Sequence, residues 1–135
     1  MLLKHLEPGE LLLGDKYFAK REILGDVRQQ GADFLMRVRE GDFMGPAYPR
    51  TNLENPNEWL TTLKVSKKLR KQRPDLPEEL PVRILRYQIP GFRSSFLITS
   101  LLDDKEYPYE ELVALYHERW RQETRHDEWR NTLQI

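Results

Sequence analysis

The stretch GELLLGDKYFAKREILGDVRQQGADFLMRVRE, residues 9–40, decides the fold class. Leu11–Leu13 is a short, wholly apolar run closed by Gly14 and Asp15, the pattern of a strand buried on both faces. Phe18, Ile23, Leu24 and Val27 then recur at roughly helical spacing, and Gly31 stands where a helix C-cap glycine belongs. Phe34–Arg39 returns to strand character. Strand, helix, strand is the unit of a parallel α/β sheet, so an α/β fold is expected.

Beyond Glu40 the composition changes. GDFMGPAYPRTNLENPNEW, residues 41–59, is rich in Gly, Pro and Asn and reads as loop. WLTTLKVSKK (59–68) has the character of a strand, and LRKQRPDLPEELP (69–81) returns to loop and turn. PVRILRYQIPG (81–91) and SSFLITSLLD (94–103) are the clearest strands, dense in branched and aromatic residues. After Pro108 the chain contains no Pro or Gly and reads as helix to its end. Three segments result: 1–40 as strand–helix–strand, 41–95 as a β-rich insertion, and 96–135 as a last strand and a terminal helix. The 135 residues suffice for one modest core.

The 22 basic and 22 acidic residues cancel, so no global charge draws the chain to nucleic acid or membrane. The absence of cysteine excludes disulfides, zinc–thiolate sites and thiol nucleophiles. The apolar runs of the first eighteen residues are interrupted by Lys4, His5, Glu7 and Glu10. They match neither a signal peptide nor a membrane span, and a soluble cytoplasmic protein is expected.

Two features carry chemistry. Asp15 follows a buried strand at a strand-to-helix turn, where α/β sheets gather ligands and metals. The same place suits a helix N-cap, and local geometry alone favours the cap. The second feature is VALYHERWRQETRHDEWRNTLQ, residues 113–134. At about 100° per residue, Tyr116, Arg119, Glu123 and Arg130 share an arc of about 60°, with Asp127 beside it. A charge-rich helix face usually points to solvent. Tyr116 within the stripe, with Leu112 and Trp120 on or near it, instead suits a face pressed against a sheet. Trp120 and Trp129 suit packing better than base stacking, and His117 and His126 read as surface or packing residues.

Together these features resemble the DDE transposases of bacterial insertion sequences, in the group marked by a Y-R-E-K helix. That signature spaces its residues as Tyr, two residues, Arg, three residues, Glu, six residues, Lys. Tyr116, Arg119, Glu123 and Arg130 reproduce the spacing, with Arg130 in place of the Lys. LLLGDKYF (11–18) resembles the family's strand ending in its second catalytic Asp; Lys16 and Phe18 fit, and Tyr17 replaces a Gly. The resemblance extends over nearly the whole chain.

It implies a partial RNase H-like fold with a β-rich insertion before the C-terminal catalytic helix. It assigns Asp15 and Glu123 as catalytic carboxylates and metal ligands, for magnesium with manganese as a substitute. Tyr116, Arg119 and Arg130 would grip phosphates of a transposon end, Arg130 through a planar fork rather than a point charge. DNA is the implied partner, together with another transposase chain. The family's first catalytic Asp has no counterpart here, since Glu7, Glu10 and Asp26 are poorly placed for it. The chain is therefore expected to be a transposase fragment, inactive alone. The alternative is a non-catalytic remnant that binds DNA or intact transposase and interferes with transposition. An unrelated α/β interaction domain is disfavoured by the number of matched positions.

One basic cluster stands apart: Lys64, Lys67, Lys68, Arg70, Lys71 and Arg73. It either tracks DNA backbone or forms a solvated, aggregation-resistant edge, and the neutral total charge leaves both open.

Overall fold

The computed structural model describes residues 7–15, 17, 19–39, 41–43, 46–88, 94–121 and 132–134, the side chains of 119–121 and 132–134 apart. The opening stretch folds as its pattern predicts. β1 (Leu11–Gly14) leads into α1 (Arg21–Gln29), which returns the chain to β2 (Asp33–Val38), and β1 and β2 pair in parallel. Gly31 ends the helix turn with φ +75°, a conformation that glycine adopts without the Cβ penalty. Asp15 does not cap α1: the helix begins six residues later, and Lys20 holds the N-cap position without a side-chain bond.

The middle of the chain extends the same sheet. β3 (Thr51–Asn52), β4 (Glu58–Lys64), β5 (Glu79–Gln88) and β6 (Ser94–Thr99) pair antiparallel in turn, and β6 joins β2 antiparallel. β7 (Thr132–Gln134) lies parallel to β1 on its other side, giving the order β3-β4-β5-β6-β2-β1-β7. Two departures from the sequence reading stand out. Residues 132–134 are strand, not helix. Lys67–Gln72 is a short helix, α2, where the end of a strand and the start of a loop were expected, and Ser66 caps it by accepting from Leu69 N–H at 3.1 Å.

Alternation along the strands sorts the core into two layers. Leu12, Phe34, Met36, Val82, Ile84, Phe96 and Ile98 face one side, where Leu24 and Val27 of α1 cover them. Leu76 is buried in this layer, and Leu69 of α2 packs on it. Leu13, Leu35, Leu85 and Leu97 face the other side, covered by Leu112 and Tyr116 of α3 (Tyr109–Arg121). Each such fully buried side chain contributes about 1.5–3 kcal/mol. The apolar runs in β1 and β2 are thus explained by helices on both faces.

Among the described residues one charged pair is buried. Arg83 is fully buried in β5, and its Nε donates to Oε1 of buried Glu58 at 2.7 Å. Its Nη1 donates to the carbonyls of Leu101 at 3.1 Å and Tyr107 at 2.8 Å. The guanidinium therefore ties β4 and β5 to the loop that launches α3.

Candidate functional site

The site is built where β1 and β2 end on the α3 side of the sheet. Leu13 belongs to the α3 layer, so Asp15, two residues on, projects to the same side, and its side chain is 32% exposed. Arg37 stands in the same relation to Leu35 on the neighbouring strand. Its Nε lies 4.0 Å from Asp15 Oδ1.

α3 closes the site from above. Tyr116 is 1% exposed, and its hydroxyl donates to the carbonyl of Gly14 at 2.9 Å. The bond joins positions 102 residues apart and fixes the peptide unit that leads into Asp15. His117 packs edge-on against Tyr87, ring centroids 4.9 Å apart, as a packing residue does. Burial pushes the Tyr87 phenol up from its ordinary range, against the opposing pull of a hydrogen bond from Ser95 and the nearby Arg37 charge.

The terminal helix is thus bonded, through Tyr116, to the residue that precedes Asp15. The family model for the transposase DDE domain matches residues 1–135. The chain belongs to the transposase DDE domain family. No curated protein matches it.

Within this transposase DDE domain, the other residues expected at the site are described to different extents. Arg119 lies in α3, one turn beyond Tyr116, and its side chain is among those not described. Glu123 and Arg130 fall outside the described residues, as do His126, Asp127 and Trp129. Glu10 Oε1 accepts from the backbone N–H of Glu7 at 2.6 Å, and Glu7 itself is exposed. Asp26 pairs with Arg73.

Among the described residues, no group of three or more His, Asp and Glu side chains is placed to hold a metal ion. Asp15 offers hard carboxylate oxygens, partly open to solvent, a donor that suits magnesium. Its charged neighbour at 4.0 Å is a cation, Arg37. Arg37 was not among the residues expected at the site. It is the charged residue inside the apolar run Phe34–Val38, but its place beside Asp15 follows from the β1–β2 register, which the sequence does not show.

The basic cluster divides. Arg70 pairs with Glu78 at 3.4 Å and also donates to the Val65 carbonyl at 3.2 Å. Arg73 binds Asp26 and Asp75, at 2.5 and 2.8 Å. Those hydrogen bonds raise the Arg73 guanidinium further above its already high range and hold the Asp75 carboxyl far below the usual carboxylate range. Lys64, Lys67, Lys68 and Lys71 are exposed. α2 lies on the α1 side of the sheet, the face opposite α3. Among the described residues no helix is long and apolar enough to cross a membrane.

Proposed function

We propose that the chain is the catalytic part of a transposase of the Y-R-E-K insertion-sequence group, acting by metal-dependent hydrolysis and strand transfer of DNA phosphodiesters. The observation that carries this reading is the Tyr116–Gly14 hydrogen bond, which brings the signature helix onto the strand ending in Asp15. The parallel β1–α1–β2 unit with α3 across its other face supports an RNase H-like core. β3, β4 and β5 would belong to its insertion, and β6 would be the last core strand before α3.

In this reading Asp15 and Glu123 hold divalent cations, magnesium by their hard oxygen donors. Bound there, the ions supply a deprotonated nucleophile and charge stabilisation on the phosphate. The chain's own residues position and clamp. Tyr116 holds the end of β1 so that the Asp15 carboxylate stays aimed at the α3 side. Arg119 and Arg130 bind DNA phosphates bidentately. Arg37 shields the Asp15 charge and stands ready to meet a phosphate oxygen once a cation takes the carboxylate. Asp15 and Glu123 are two of the three carboxylates in the family pattern, so the chain alone binds metal without cutting DNA.

Calorimetric titration with Mn2+ tests the reading. Binding to the full chain should be lost in Asp15→Asn and in Glu123→Gln. Unchanged binding in both variants would sink the metal assignment, and Mg2+-dependent nicking by the chain alone would overturn the inactivity.

A further inference from the structure

The lysines of α2 are exposed, while the arginines interleaved with them are engaged in ion pairs. Lys67, Lys68 and Lys71 are exposed, and among the described residues none of them is held in an ion pair. Arg70 and Arg73 are half-buried and bind acidic side chains of α1 and of the loop after α2.

Helix geometry explains the division. At about 100° per residue, Lys67, Lys71 and Lys68 occupy an arc of about 100° whose centre lies roughly 150° from Leu69. Leu69 packs on the core and so turns that arc outward. Lys67 and Lys71 stand one turn apart, about 6 Å along the axis, a length that spans two successive charges of one DNA strand. Ammonium groups on flexible stems suit such a contact, since they bind phosphate as point charges without fixed geometry.

The neighbourhood also argues for backbone contact rather than insertion into a bilayer or stacking on bases. Among the described residues the exposed large hydrophobic side chain is Tyr17, which belongs to the loop after β1. A base-stacking or membrane-inserting surface would need aromatic or apolar side chains among the lysines.

We propose that Lys67, Lys68 and Lys71 form a second contact for DNA backbone phosphates, on the sheet face opposite α3, while Arg70 and Arg73 are structural. This rests on the reading of the chain as a DNA-acting transposase. It adds that the nucleic acid is held at two places, one at the end of β1 and one across α2. A solvated lysine edge without a ligand is the competing explanation of the same residues.

The test is the salt dependence of binding to a random-sequence duplex, without divalent cations, for the full chain. Each neutralised phosphate contributes about 0.9 to the slope of log K against log salt. Lys67→Gln/Lys68→Gln/Lys71→Gln should lower that slope by about 2.7, with unchanged thermal stability. Arg70→Gln should leave the slope unaltered. A triple variant with the parent slope overturns the proposal, as does a parent chain that does not bind duplex DNA. Equal loss in Arg70→Gln overturns the division between lysine and arginine. Phosphatidylserine vesicles bound as tightly as the duplex, with the same lysine dependence, would assign the surface to membrane instead. Because Mn2+ titration needs no DNA, failure of the active-site reading appears there and not in these slopes.

Discussion

The hydroxyl of Tyr116 donates to the carbonyl of Gly14 at 2.9 Å, so α3 is bonded to the residue immediately before Asp15. The donor is buried at 1% exposure, where water cannot substitute for it. Tyr116→Phe removes the donor and leaves a buried carbonyl one bond short. Such a deletion costs about 1–3 kcal/mol. Urea unfolding should show a lowered midpoint with an unchanged m-value. If Tyr116 instead served only as a phosphate ligand, DNA affinity would fall with stability intact.

The Arg83–Glu58 pair should be the most sensitive polar contact in the fold. Both side chains are buried, and Arg83 also satisfies the carbonyls of Leu101 and Tyr107. Removing one member of a buried pair costs about 3–5 kcal/mol, because the other charge stays behind. Arg83→Met should cost more than Glu58→Gln, since it orphans two carbonyls as well as the carboxylate. Amide exchange should show the added loss in the 101–109 segment and the first turn of α3. Uniform protection loss across the sheet would count against a local tie.

Stability should fall at both ends of the pH scale, for opposite reasons. Hydrogen bonds from Arg73 and Gln29 depress the Asp75 carboxyl, and those from the Lys105 and Glu106 amides depress Asp103. A depressed folded pKa contributes stability that is present above the unfolded value of about 4 and is lost as pH falls below it. Tyr87 and Tyr109 are raised, chiefly by burial. Their contribution is complete below about 10 and is lost as pH rises through the folded values. Thermal midpoints across pH should therefore plateau between these limits. Asp75→Asn together with Asp103→Asn should flatten the acid limb and leave the alkaline one.

How far the sequence could be read follows from which forces were local. β1, α1 and β2 were legible because burial on both faces writes continuous apolar runs, and Gly31 announced the helix end. Leu112 and Tyr116 betrayed their packing by breaking a charged face. The capping role of Asp15 failed because the turn after β1 runs on to Lys20 before the helix starts. α2 was missed because Pro74 and Pro77 just after it suggested loop, although Ser66 before KKLRKQ was a cap signal. β7 could not be foreseen: its residues follow a helical pattern, and their pairing with β1 is a contact between chain ends. Nor does any local pattern disclose that Arg37 sits against Asp15 or that Arg83 is paired inside. Both depend on strand register.

That register leads to a prediction about metal affinity. Arg37 Nε lies 4.0 Å from Asp15 Oδ1, and both side chains are partly exposed, at 46% and 32%. A pair so exposed is screened, and its interaction is worth up to about 1 kcal/mol rather than the several a buried pair would give. A cation binding at Asp15 must overcome that interaction and the repulsion from the guanidinium. Arg37→Gln should therefore tighten Mn2+ binding, by roughly two- to fivefold at low salt. The gain should shrink as ionic strength rises, since screening weakens what the substitution removes. The same variant should bind DNA less tightly if Arg37 meets a phosphate when the carboxylate is occupied. Mn2+ and duplex titrations on one preparation separate the two effects. Weaker metal binding in Arg37→Gln would show that the guanidinium orients Asp15 for the cation instead of competing with it.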